Sequence, residues 1–157
     1  MFAVRHKHPW NYAVLSLFTA CTSYSLGVVV LAYSPAAVMA ALALTASAMA
    51  AMTALAWLLR DRDLSLFGIG LAAVGWIFLI ALLAVSFFNV GAVSTVMVGA
   101  TGAALFCAYV VFDVWSMLSP WRGLPLDEHF IAAMNIYLDV LNLFMFLLQA
   151  IGGNQRQ

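Results

Sequence analysis

FDVWSMLSPWRGLPLDEHFIAAMNIYLDVLNLFMFLLQ, residues 112–149, decides how this chain is read. Two apolar runs flank a break containing Pro120 and Pro125, and each run holds one aspartate well inside it, Asp113 and Asp139. A charge at membrane depth costs about 2.5 kcal/mol even on lenient insertion scales, so such a residue marks function by default. Asn135, Asp139, Asn142 and Gln149 follow one another at helical spacing and share one face. That face is unsuited to lipid, which places the last helix in the middle of a bundle or against another protein.

Composition points the same way. Of 157 residues, 66% are hydrophobic and 8% charged, with a mean hydropathy of +1.06. A soluble domain carries roughly 25% charged residues, so this chain is written for lipid. The expected fold is an all-α integral membrane bundle, a single domain over 1–157. It has room for about five transmembrane helices of roughly 20 residues. They are read at 10–33, 36–59, 64–88, 92–118 and 128–151, with a central polar last helix. Net charge is zero and no basic run exceeds residues 5–8, so no nucleic-acid partner is expected. The amino-terminal residues are read as leading into an anchor rather than a cleaved leader.

The breaks and seams follow from residue type. Ser34-Pro35, the charged turn 60–63, Asn89-Val90-Gly91 and the loop 119–127 separate the spans. Thr19, Ser23 and Gly27 form an expected small-residue seam in the first helix; the second, rich in alanine, is expected to have protein on more than one side. Gly68, Gly70 and Gly75 suit close crossings, as do Gly99 and Ala103. Asp127 and Glu128 open the last helix as cap and dipole partner, a role that accounts for both carboxylates beside His129. Cys21 and Cys107 lie in separate spans and read as packing residues.

Basic residues set an expected orientation. Arg5, Lys7, Arg60, Arg62 and Arg122 fall on one side and Arg156 on the other, which puts the amino terminus inside and the carboxyl terminus outside. Gly102, Phe106, Tyr109 and Asp113 share a face of the fourth helix. Low dielectric disfavours a charge, and two carboxyl groups within hydrogen-bond reach can share one proton and titrate as a unit. Asp113 and Asp139 can therefore serve as a proton sensor, a cation waypoint or a latch between helices. Alternatively, each simply bonds a neighbouring polar group. Asn135, Asn142 and Tyr109 form the supporting polar face. No Ser/His/Asp set, phosphate-binding glycine loop or intramembrane histidine is present, so no enzyme and no cofactor is expected.

Three segments carry a resemblance: GAALFCAYVVFDVWSML (102–118), DEHFIAAMNIYLDVLNLFMFLLQ (127–149) and RHKHPWNYAVLSLFTACTSYSLG (5–27). The phrase A-x-N-x-Y-L-D-x-x-N-L-F is the specific part. The chain resembles the Bax inhibitor family, in its lifeguard branch. The resemblance implies a last helix wrapped by the others and a pH-sensitive leak of cations, chiefly Ca2+ as permeant ion. It assigns control of that leak to the aspartate pair corresponding to Asp113 and Asp139. It implies an endoplasmic reticulum or Golgi membrane, with the mitochondrial inner membrane as alternative, and an effect on cell death. The family has about seven helices, so this chain reads as a short form without the first two. The family's basic partner for the aspartates has no counterpart here, since no span contains Lys or Arg. A polar helix short of two neighbours calls for membrane lipids, another protein chain or a second copy to cover it. A non-conducting accessory subunit of a larger membrane complex is the alternative function.

Overall fold

Ser34 and Pro35 turn one apolar run into two helices. The Ser34 hydroxyl accepts a hydrogen bond from the Ala37 amide at 3.3 Å, and Pro35 occupies the first helical position, where a missing N–H costs nothing. In the computed structural model, which describes residues 10–88, 95–119 and 129–153, five helices follow in order. They are α1 (Trp10–Val30), α2 (Pro35–Leu58), α3 (Ser65–Phe88), α4 (Thr95–Leu118) and α5 (His129–Gly152). No strand occurs among the described residues. The expected helices all form. The first stops three residues early, because Leu31 and Ala32 enter the turn that Ser34 then caps.

Asp63 performs the same service for α3. Its Oδ1 accepts from the Ser65 amide at 2.9 Å and the Ser65 hydroxyl at 2.6 Å, which holds the Asp63 carboxyl below the usual carboxylate range. Arg60 pairs with Asp61 at 3.7 Å and lies 5.1 Å from the centre of the Trp57 ring. Both charged groups of that pair are exposed, so the turn is an ordinary solvated one. The Asp127 and Glu128 caps and the Asn89-Val90-Gly91 reversal lie outside the described residues.

Four of the helices are long and apolar enough to cross a membrane, and α1 adds a shorter apolar stretch, Leu15–Val30. The core sits between α2, α4 and α5. The α4–α5 pairing is the most extensive, α2 covers both partners, and α3 leans on α4 over a narrower strip. Ala37 and Ala41 of α2 meet Phe144 and Leu148 of α5, while Ala56 meets Val111 and Trp115 of α4. Trp115 also donates from its indole to the Arg62 carbonyl at 3.0 Å, tying α4 to the α2–α3 turn.

Gly99 explains why α4 and α5 come so close. A Cβ there would overlap the Phe146 carbonyl and the Ala150 backbone, so only glycine admits this crossing. Gly68 and Gly75 of α3 likewise accept aromatic side chains of α4, the Phe112 ring and the Tyr109 hydroxyl. Gly70 does not take part and faces open space. The seam expected in α1 is off by one position. Ser23 and Gly27 are exposed, and α1 approaches α5 through Phe18 and Thr22 instead. Small size alone does not choose the packed face when a neighbouring hydroxyl finds a partner.

All four preceding helices touch α5, as its polar face requires. Around it, large apolar side chains such as Leu66, Ile69, Ile77 and Ile80 point outward, the surface expected of a bundle in lipid.

Candidate functional site

Asp139 lies about 15 Å along α5 from its start at His129. It is 7% exposed, and its Oδ2 is enclosed without a hydrogen-bond partner among the described residues. Buried polar atoms are nearly always satisfied, so an orphaned carboxylate oxygen in the middle of a helix bundle calls for an explanation. Leu143, one turn further on, shares its side of the helix, whereas Phe144 and Leu148 are buried on the opposite side against α2.

A cavity of about 540 Å³ adjoins it. From α5, Asp139, Asn142 and Phe146 line its floor; from α4 come Leu105, Phe106 and Tyr109. Its outer wall is α3, including Gly75, Trp76, Phe78 and Leu79. Its origin is steric. Tyr109 and Phe112 of α4 lodge in the glycine notches of α3 at Gly75 and Gly68, and the cavity extends from the Gly75 notch along α3 toward Leu82. The Tyr109 hydroxyl donates to the Leu71 carbonyl at 3.2 Å, so this side chain is anchored across the gap. Phe146 is held in turn by Phe78 and Phe106, each with ring centres 5.6 Å away.

A second cavity of about 320 Å³ lies on the other flank of α5, under α1. Phe18, Thr22 and Leu26 face Leu138, Leu141 and Met145 across it. Asn142 lines both cavities and is the side chain that connects the two sides of α5.

The predicted site residues are thus divided. Asp139, Asn142 and Tyr109 come together at one cavity. Asp113 is half-buried, one turn beyond Tyr109, and lies outside the cavity wall, although both aspartates are within electrostatic reach of Tyr109 and of each other. Asn135 departs from the expected buried face: it is exposed. The tight glycine contact of α4 on the α5 backbone is at Phe146 and Ala150, eleven or more residues further on, and the packing that buries Asp139 does not cover Asn135.

Sequence reasoning missed Phe146, although it stands seven residues after Asp139 and four after Asn142 on the same face. It also missed Thr22 and Tyr137, whose hydroxyls meet at 3.0 Å and join α1 to α5. No local signal marks that pair; only the third dimension does. The free thiols Cys21 and Cys107 sit on different helices. Among the described residues no group of three His, Cys, Asp or Glu could hold a metal.

A central polar helix with a buried aspartate is what the resemblance requires, and wider comparison agrees. The family description "Inhibitor of apoptosis-promoting Bax1" matches residues 1–156. This chain belongs to the Bax inhibitor family. It is similar to the Golgi anti-apoptotic protein of Vaccinia virus (strain Lister), 39% identical over 92% of this chain and 59% of that protein. Mouse (Mus musculus) protein lifeguard 4 is 34% identical over 92% of this chain and 59% of its own length. Protein LIFEGUARD 1 of Arabidopsis thaliana is 33% identical over 98% of this chain and 65% of its own. This Bax inhibitor chain spans about three fifths of the length of these relatives. No solved structure matches it. Family and apolar helices together make it an integral membrane protein.

Proposed function

We propose that this chain is a pH-modulated cation leak of an endomembrane, with Ca2+ as the principal permeant ion. The observation that carries the reading is Asp139: an enclosed carboxyl with an unpartnered oxygen, beside a cavity, at the centre of a bundle of lipid-facing helices. Protonation decides whether such a group is neutral or charged, and only the charged form attracts a cation. Asp113, within electrostatic reach, couples to that equilibrium. Asn142, shared by the cavities on both flanks of α5, offers an oxygen between them. The Golgi named in the viral relative supports a Golgi membrane, and the anti-apoptotic names support restraint of cell death as the physiological effect. The distribution of basic residues supports an amino terminus on the inside.

Flux into liposomes tests this. Vesicles containing the protein should pass calcium at a rate that changes with pH. Asp139→Asn, which keeps shape and removes the ionisable group, should flatten that dependence; Asp113→Asn should alter it less. Vesicles that stay tight with every form would end the reading.

A second reading has its own observation. The outer surface of α3 exposes Leu66, Ile69, Trp76, Ile77, Ile80 and Phe87, a broad apolar face. As a non-conducting accessory subunit, the protein would seat that face against another chain or a second copy. Native gel migration far above 17.0 kDa with stoichiometric partners supports this; migration as a lone chain in mild detergent opposes it.

A further inference from the structure

We propose that the cavity between α3, α4 and α5 is a binding site for a lipid-soluble amine, entered sideways from the bilayer, whose protonated nitrogen donates to Asp139. The site and ligand class go beyond the leak reading: they use Asp139 but require no conduction.

The walls select the ligand. Trp76, Phe106, Tyr109 and Phe146 surround a space that holds one carboxyl group, Asp139, and one amide, Asn142. Aromatic faces attract cations, and a single carboxylate adds charge at one end. An anion is repelled by Asp139. A calcium ion takes about six to eight oxygen ligands and would keep most of its waters beside Asp139, Asn142 and Tyr109. An ammonium needs far fewer, and it can donate to the Asp139 carboxyl group, which lines the cavity.

Size and access agree. The cavity volume of about 540 Å³ suits a single molecule of modest size. Trp76 and Leu79 line the cavity and are 68% and 48% exposed, so the opening lies on the lipid-facing side of α3. A ligand arriving there is already dissolved in the membrane, which favours a long apolar body behind the nitrogen. The Tyr109 hydroxyl is committed to Leu71, so the polar recognition falls to Asp139 and Asn142.

The test is equilibrium binding of radiolabelled dodecylamine to the full chain in phosphatidylcholine nanodiscs, with empty discs subtracted. Saturable binding is expected, about one molecule per chain. Dodecanol, which has the same tail but no charge, should compete about tenfold or more worse, as loss of a charge-assisted hydrogen bond implies. Dodecyltrimethylammonium, which has charge but no N–H, should fall between them. Asp139→Asn should weaken dodecylamine about tenfold. Leu79→Trp, a change at the exposed rim that fills the mouth without touching the core, should block it. Equal binding of dodecanol, undiminished binding to Asp139→Asn, or a cavity closed by a second copy in the disc would each overturn the proposal. Because discs cannot report flux, failure of the leak leaves this result standing, and the reverse also holds.

Discussion

The two flanks of α5 differ from its buried side in how closely the neighbouring helices approach. At the tightest contacts with α2 and α4 the neighbours are small, Ala37, Ala41, Gly99 and Gly102. Backbones approach and no space is left. Toward α3 and α1 the neighbours are aromatic or long, with Phe78 on one side and Phe18 on the other, and a cavity remains on each. In a membrane the lipid tail is as apolar as leucine, so close packing of small residues, rather than hydrophobic burial, decides which helices stay together. The comparison therefore separates a rigid frame, α2 with α4 and α5, from two outer helices that enclose usable volume.

The largest effect should come from filling the frame. Gly99→Ala places a methyl group on the α5 backbone and should destabilise by about 1–3 kcal/mol, read as a lowered thermal midpoint in detergent. Gly27→Ala and Gly70→Ala, which meet nothing within 4 Å, should leave the midpoint unchanged or slightly raised. Equal losses at all three would erase the distinction. A smaller effect is expected at the α1 tether. Tyr137→Phe removes the 3.0 Å contact with Thr22 and should cost about 0.6 kcal/mol, with faster amide exchange confined to α1. Exchange that quickens equally in α4 would show that α1 belongs to the frame.

The smallest effect concerns the start of α3. Asp63 sits below the ordinary carboxylate range because Ser65 bonds its ionised form. That contribution is present above the unfolded-state value and is lost as pH falls through the lower folded one. Protection of the first turn of α3 should decline on acidification, and Asp63→Ala should remove the decline while leaving α4 and α5 unaffected. A decline that persists in the variant would assign it to another group.

How much was legible beforehand depends on the residue. Proline, glycine and charge mark breaks through local chemistry, and all five helices follow from them. Asp139 was legible because a charge inside an apolar helix is costly and the polar residues spaced around it share a face unsuited to lipid. Asn135 carries the same spacing yet is exposed, because burial depends on which side chains arrive from other helices. Thr22 was passed over for Thr19, Ser23 and Gly27 for a similar reason: a hydroxyl's partner 115 positions away leaves no trace in a local window.

The amino-acid sequence by itself determined the membrane-spanning helices, their breaks, the family and the two acidic positions, since each rests on local composition or on a motif. Only the tertiary structure decided that the aspartates are unequal, one enclosed beside a cavity and one half-buried outside it. The physical reason is that enclosure depends on which side chains arrive from other helices. Glycine notches in α3 and the crossing at Gly99 set those arrivals; the glycines are visible in the sequence, but which side chains they receive is not.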